Sequence, residues 1–211
     1  MNYGYFDDAN REYVITNPKT PTKWINYLGT LAFGGLIDHT GGLLICQEDP
    51  ALNRITKYIP QLPNSDFKGS TLYLRFPEGG GYRVFSAFFT PTLDPYDRYE
   101  CHVGLGYQRI VSECYGVRAE VTFFVPAGDS RVLWDIRLTN LADRPRALDA
   151  IPVVEYSHFD ALKQFNNADW VPQTMQSWAV SDGDHTVLAQ CAFMKRGTNE
   201  NYLAASLPVS S

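Results

Sequence analysis

The sequence predicts an all-β protein, built as a large antiparallel β-sandwich with at most short helical turns. The strongest evidence is the segment from Arg118 to Tyr156, where apolar and polar side chains alternate in three runs separated by two turn clusters. Alternation with a period of two gives a strand one buried and one wet face, which is typical of antiparallel sheet. Glycine-rich turns and short apolar runs elsewhere point the same way.

That segment is predicted to form a three-stranded meander. Its first run is expected to bury Ala119, Val121, Phe123 and Val125, and its second run Val132, Trp134, Ile136 and Leu138. The third run extends from Leu148 to Tyr156. Trp134 belongs to the alternating set of side chains that is predicted to be buried, so we expect it in the core.

The remaining elements are shorter. Strands are predicted at 71–76 and 82–88 around a glycine hairpin turn, Glu78–Gly81, and a single strand is predicted at 96–111. Residues 157–167 suit a turn or two of helix, and strand character resumes after Trp178. Roughly a dozen short strands favour two packed sheets, and residues 1–211 are interpreted as one domain.

Composition excludes several classes of function. The chain is 45% hydrophobic and 19% charged with a net charge of −5, so it has a real core and no basic field for nucleic acid or anionic lipid. The four cysteines are widely spaced, and no metal-ligand spacing is present, so we expect free thiols and no metal site. The N-terminus resembles no signal peptide and no apolar run could cross a membrane, which predicts a cytoplasmic protein.

One loop combines an aromatic ring with amides. Trp170 follows Asn166 and Asn167 in a polar segment after the meander, a mixture suited to binding sugar hydroxyl groups. Two other functions stay open on the residues alone. A free-standing carbohydrate-binding module needs only an exposed aromatic platform, and a mutarotase-like epimerase would pair His158 with Glu155 or Asp160.

Five stretches, taken together and in order, resemble one enzyme family. They read YGYFDDANREYVITNPKTPTKWINYLG, FGGLIDHTGG, CHVGLGYQRI, GVRAEVTFFVPAGDSRVLWDIRLTN and PVVEYSHFDA. They are similar to the N-terminal region of the inverting β-glucoside phosphorylases of glycoside hydrolase family 94, formerly glycosyltransferase family 36. The family includes cellobiose, laminaribiose and cellodextrin phosphorylases.

The resemblance implies that this chain is one part of a longer enzyme. Members begin with a super-sandwich like that of galactose mutarotase and continue into an (α/α)₆ barrel that carries the catalytic aspartic acid. Inorganic phosphate, the co-substrate, cleaves a β-glucosidic disaccharide or oligosaccharide to α-glucose 1-phosphate, without any cofactor. The family catalytic acid has no counterpart in this chain, so we expect no catalytic residue here and no activity from the chain alone. The resemblance also implies that the sandwich packs on the barrel, supports a homodimer and contributes acceptor-side contacts, for which Asn166, Asn167 and Trp170 are the candidates.

Overall fold

Antiparallel β-strands form nearly all of the molecule. The structure, a computed structural model, describes residues 2–209. In chain order the strands are β1 Gly4–Asp7, β2 Glu12–Ile15, β3 Ile25–Gly29, β4 Phe33–Asp38, β5 Leu43–Gln47, β6 Ser70–Glu78, β7 Gly81–Ser86, β8 Arg98–Gly104, β9 Tyr107–Cys114, β10 Val117–Phe124, β11 Leu133–Asn140, β12 Asp149–Val154, β13 Met175–Asp182, β14 His185–Ala192 and β15 Glu200–Ala204. One α-helix, α1, spans Ala161–Asn166, and a 3₁₀ turn spans Val171–Thr174.

The strands form four hydrogen-bonded sheets rather than two. The largest has six strands in the order β1-β2-β8-β9-β10-β11, and the others are β12-β6-β7, β3-β4-β5 and β13-β14-β15. Every pairing is antiparallel. The all-β prediction is therefore confirmed, and residues 2–209 contain more strands and more sheets than the sequence suggested.

A single hydrophobic core joins the first three sheets. Val121 and Phe123 of β10 lie in it with Leu72 of β6 and Ile37 of β4, all fully buried. At about 1.5–3 kcal/mol for each fully buried large side chain, this layer is the main stabilising element. The sheet β13-β14-β15 lies outside the cluster and contributes smaller buried side chains such as Ala189.

The predicted meander is correct for two strands and wrong for the third. β10 pairs with β11, as the meander requires, with Val121 opposite Ile136. The third run, however, leaves this sheet as β12 and pairs with β6, with Ile151 opposite Tyr73. Alternation shows which face of a strand is buried but does not identify its neighbour.

Trp134 is half-buried at the margin of the core, not inside it. Its ring lies 5.2 Å from Phe123 and 5.9 Å from Phe88, centroid to centroid. The face of β11 predicted to point towards the core does so, yet Ile136 on that face is 36% exposed. Both side chains are only partly covered because β11 is the edge strand of the six-stranded sheet.

The predicted single strand at 96–111 is a hairpin. β8 and β9 pair through Val103 opposite Gln108, and Leu105 and Gly106 form the turn between them. Gly106 has φ +82°, a value that favours glycine. By contrast, the hairpin predicted around Glu78–Gly81 is confirmed as β6 and β7.

A buried carboxylate organises the turn between β4 and β5. Asp38 Oδ1 accepts hydrogen bonds from Thr40 N (2.7 Å), Thr40 Oγ1 (2.8 Å) and Gly42 N (3.2 Å). Tyr58 OH donates to Oδ2 (3.1 Å), and the Lys23 ammonium lies 3.9 Å from the same oxygen. A buried charge is tolerated only when it is paired and hydrogen-bonded, as here.

The neighbouring histidine, His39, extends this network to the loop before β3. Trp24 N donates to its Nδ1 (3.3 Å), so Nε2 carries the proton and donates to Pro18 O (2.9 Å). Burial lowers the pKa of His39, which favours this neutral form. The segment IDHTGG, which is part of the family resemblance, therefore has a structural role. It holds the turn between β4 and β5 against the loop before β3.

Candidate functional site

A cleft of about 400 Å³ opens where the end of β12 meets α1, the 3₁₀ turn and the sheet β13-β14-β15. Its volume lies in the lower part of the range of about 300–1,000 Å³ for small-molecule sites. The cleft combines two charged side chains, two amides and an apolar remainder. Its lining residues are Lys57, Phe67, Val153, Val154, Glu155, Tyr156, Gln164, Pro172, Met175 and Gln190.

One wall is held by backbone hydrogen bonds to Glu155. Its N–H donates to Gly69 O (2.7 Å), and its carbonyl accepts from Lys57 N (2.9 Å). Their side chains also pair, with 2.5 Å between Lys57 Nζ and Glu155 Oε1. The pair leaves this wall electrically neutral, although both side chains are partly exposed.

Helix α1 contributes Gln164 to the lining. Asp160 caps the helix, its Oδ1 accepting from Lys163 N at 2.9 Å. Gln164 Oε1 accepts from His158 N (3.1 Å), which fixes this side chain against the preceding loop. The carbonyl end of the amide is thus engaged, and its NH₂ end is the one that can serve a ligand.

The structure brings two of the three predicted acceptor-side residues together. Trp170 Nε1 donates to Asn167 Oδ1 (3.2 Å), and Asn167 Nδ2 donates to Lys163 O (3.1 Å). Trp170 is 45% exposed, and the Lys163 ammonium lies 5.8 Å from its ring centroid. Asn166 is exposed at the end of α1. All three lie next to the cleft, but they are not among its lining residues.

Helix geometry places Asn166 on a different face of α1 from the cleft residue Gln164. Asn166 is two residues after Gln164, and at about 100° per residue its side chain projects about 200° around the helix axis. Asn167, three residues after Gln164, comes back to within about 60° of it, so helix geometry turns only Asn166 away from the cleft. The role of Asn166, Asn167 and Trp170 in sugar binding stays a prediction.

The residues of the epimerase interpretation have other partners. Asp160 N donates to His158 Nδ1 (3.1 Å), and the His158 ring stacks on Phe159 at 4.3 Å. The Glu155 carboxylate pairs with Lys57 and the Asp160 carboxylate caps α1. Burial lowers the pKa of His158, and among the described residues no hydrogen bond or ion pair joins its ring to a carboxylate. The arrangement offers no acid–base pair.

A second cavity, about 180 Å³, lies on the outer face of the six-stranded sheet. Its lining includes His102, whose Nδ1 donates to buried Glu12 (2.7 Å) and whose Nε2 lies 3.1 Å from Glu100 Oε2; Glu12 also accepts from Tyr107 OH (2.5 Å). Burial raises the pKa of Glu12, but the hydrogen bonds from Tyr107 and His102 outweigh it and leave that pKa lowered. These polar groups satisfy one another, so the network stabilises the sheet face.

Metal and membrane features are absent from the part of the chain that the structure describes. Between residues 2 and 209, no three His, Cys, Asp or Glu side chains are arranged to hold a metal ion. No helix in the same range is both long and apolar enough to cross a bilayer. The four cysteines are free thiols, and Cys101, Cys114 and Cys191 are buried.

Sequence reasoning missed most of the cleft. Lys57, Glu155 and Gln190 come from three distant parts of the chain, and no local pattern links them. From the sequence alone, Glu155 is named as a partner for His158, not as part of a cleft. A polar aromatic loop after a strand was the available signal, and it pointed to the neighbourhood of the cleft rather than to its lining.

Comparisons with known proteins agree on one family. A family model described as "Glycosyl hydrolase 94, supersandwich domain" matches residues 11–209. An N,N'-diacetylchitobiose phosphorylase from Vibrio furnissii is 40% identical over 159 residues, 74% of this chain and 20% of the relative. A 3-O-beta-D-glucopyranosyl-beta-D-glucuronide phosphorylase from Paenibacillus borealis is 27% identical over 212 residues, 99% of this chain and 25% of the relative.

These relatives are much longer than the chain, which spans a fifth to a quarter of their length. A cellobionic acid phosphorylase from Neurospora crassa matches over a shorter region, 32% identical over 102 residues. The match to the domain model, by contrast, extends over nearly all of the chain. The antiparallel sheets and the comparisons lead to one conclusion: the chain belongs to glycosyl hydrolase family 94, as its supersandwich domain.

Proposed function

We propose that this chain is the supersandwich part of a phosphorylase that cleaves a β-linked disaccharide with inorganic phosphate. The observation that carries the proposal is the domain match over residues 11–209, together with relatives that are all named as phosphorylases. Phosphate replaces the water of an inverting hydrolase, and a barrel domain outside this chain supplies the acid that protonates the leaving sugar. Free thiols in this chain suit a reducing compartment, the cytoplasm.

Two disaccharide classes are the candidate substrates. The family resemblance favours a β-glucosidic disaccharide or oligosaccharide, with α-glucose 1-phosphate as the product. The 40% identity to an N,N'-diacetylchitobiose phosphorylase favours an N-acetylglucosamine disaccharide, with the corresponding N-acetylated sugar 1-phosphate as the product. Both reactions use the same inorganic phosphate and need no further cofactor.

The domain has three roles in this proposal: packing on the barrel, dimerisation and acceptor-sugar binding. Large apolar side chains are exposed on the later strands, on α1 and in the loop that follows α1, including Leu188, Phe165 and Trp170. Such exposed apolar surface supports an interface with another domain or subunit. The pair formed by Asn167 and Trp170 supports acceptor binding, since an indole face and a fixed amide suit a pyranose ring.

The test is phosphorolysis by the full-length protein. Incubation with phosphate and either cellobiose or N,N'-diacetylchitobiose should give a sugar 1-phosphate, whereas the 211-residue chain alone should give none. In the reverse reaction, Trp170→Ala in the full-length protein should raise the KM for the acceptor sugar several-fold. Leu31→Ala, at an exposed loop position, is the matched control. Product from the isolated chain would contradict the proposal, and an unchanged KM would remove Trp170 from the acceptor site.

A further inference from the structure

A histidine on the outer face of the six-stranded sheet lies between two carboxylates. His102 Nδ1 is 2.7 Å from Glu12 Oε2, and its Nε2 is 3.1 Å from Glu100 Oε2. An ionised carboxylate can only accept hydrogen bonds, so a ring nitrogen that binds one must carry a proton. The contacts of the two nitrogens therefore fit the doubly protonated, positively charged form of His102.

Both neighbouring carboxylates are held in their ionised form. Burial raises the pKa of Glu12, but hydrogen bonds from Tyr107 and His102 outweigh it and leave that pKa lowered. Burial also raises the pKa of Glu100, and hydrogen bonds from Arg98 and His102 again leave it below its ordinary value. The histidine thus faces two negative charges rather than two neutral acids.

The guanidinium group of Arg109 on β9 provides a second partner for the same ring nitrogen. Arg109 Nη2 lies 3.6 Å from Glu12 Oε2 and 3.2 Å from His102 Nδ1. A protonated Nδ1 has no lone pair for Arg109, whereas an unprotonated Nδ1 can accept from it. Loss of the proton therefore takes a donor away from Glu12. The other charged groups around His102 are Arg98, Arg118 and Glu120 in the cavity lining, and Asp7 at the end of β1.

Glu12 connects the N-terminal hairpin of β1 and β2 to the rest of the sheet. β2 pairs with β8 over residues 13–15, so in the part of the chain that the structure describes the outer end of the hairpin, residues 5–12, has no backbone pairing with β8. Between residues 2 and 209, the side-chain hydrogen bonds from this end to β8 and β9 are those that Glu12 accepts from His102 and Tyr107. The charge on His102 therefore bears directly on how firmly the hairpin end is held.

Solvent reaches this histidine in the folded protein. The His102 side chain is 11% exposed, and it lines the cavity of about 180 Å³ on the outer face of the sheet. Its proton can pass to water in that cavity without unfolding of the strands. Histidine is the side chain that ordinarily changes charge between about pH 5 and 8.

We propose that His102 and Glu12 form a pH-sensitive contact that holds the outer end of the N-terminal hairpin against β8 and β9. The contact is made while His102 is charged and Glu12 is ionised. Raising the pH transfers the histidine proton to solvent, and Glu12 keeps only the neutral donor Tyr107. Lowering the pH breaks the contact by protonating Glu12, and the lowered pKa of Glu12 moves this loss below the ordinary range of a glutamate. The hairpin end is therefore held most firmly in a window of pH between these two titrations.

Hydrogen exchange of the 211-residue chain, measured at several values between about pH 5 and 9, tests this contact. Protection factors correct for the pH dependence of intrinsic exchange. For residues 5–12 they should fall about tenfold as the histidine loses its proton, which is the effect of losing one hydrogen bond to a charged group, while those of β9 and β10 stay constant. His102→Gln should abolish this pH dependence, and Glu12→Gln should do the same. His185→Gln is the matched control, because His185 is exposed on β14 in another sheet, and it should keep the wild-type profile.

The protonation of the ring is measured separately, from the ¹⁵N shifts of His102 at about pH 6, where both nitrogens should be protonated. The inference is overturned by a neutral ring at that pH, by unprotected residues 5–12 at every pH, or by the same pH profile in wild type and His102→Gln. Circular dichroism verifies that each variant is folded, and His102→Gln alone decides should Glu12→Gln unfold. The measurement needs neither sugar nor phosphate, so its outcome does not depend on the proposed phosphorolysis.

Discussion

Asp38→Ala should destabilise the chain more than most single substitutions. It removes the acceptor of four hydrogen bonds, from Thr40 N, Thr40 Oγ1, Gly42 N and Tyr58 OH, at 2.7–3.2 Å. It also leaves the Lys23 ammonium, whose side chain is 7% exposed, without its counter-ion. Removing one partner of a buried ion pair costs about 3–5 kcal/mol. That is a large fraction of a total stability of about 5–15 kcal/mol.

Urea unfolding, followed by circular dichroism, measures this loss. Asp149→Ala is the matched control, because Asp149 forms an exposed pair with Arg75 at 2.8 Å. Exposed pairs contribute about 0–1 kcal/mol, so the control should change the free energy of unfolding little. If Asp38→Ala falls within about 1 kcal/mol of Asp149→Ala, the buried network does not stabilise the turn between β4 and β5 as described.

Two further predictions concern the same fold. Burial lowers the pKa of Lys23 from 10.5 to about 8, so between these pH values the unfolded chain binds more protons and the contribution of Lys23 to the unfolding free energy rises with pH. Wild type should therefore gain stability relative to Lys23→Met as pH rises from about 8 towards 10.5 in urea titrations, and parallel pH profiles would contradict this. Leu72→Ala, in the core, should cost about 2–5 kcal/mol in urea unfolding. Ile136→Ala, at a side chain that is 36% exposed, should lower the free energy of unfolding clearly less. Equal losses in the two variants would contradict the assignment of Leu72 to the core and of Ile136 to its margin.

Local features of the fold could be predicted from the sequence, and long-range ones could not. The hairpin of β6 and β7 depends on glycines within its own turn, where Gly79 and Gly80 have φ +60° and +82°. The pairing of β12 with β6 joins Asp149 to Arg75 across the chain, and nothing in the alternation of the third run indicates that partner. Gly106 falls inside the single strand predicted at 96–111, but it has a positive φ and lies in the turn between β8 and β9.

At the candidate site, too, the local features could be predicted from the sequence and the long-range ones could not. The loop containing Asn166, Asn167 and Trp170 was found by composition, and the hydrogen bond from Trp170 to Asn167 spans only three residues. The cleft depends on Lys57, Glu155 and Gln190, which only the folded sheets bring together. The family could be recognised because several motifs occur in order, and the match over residues 11–209 confirms it.

Phosphorolysis by the full-length protein tests the central claim most directly. With inorganic phosphate and a β-linked disaccharide, proton NMR of the products should show an α-configured sugar 1-phosphate, formed with inversion, and no such product from the 211-residue chain alone. Free sugars without any sugar phosphate, or sugar phosphate made by the isolated supersandwich domain, would contradict the account.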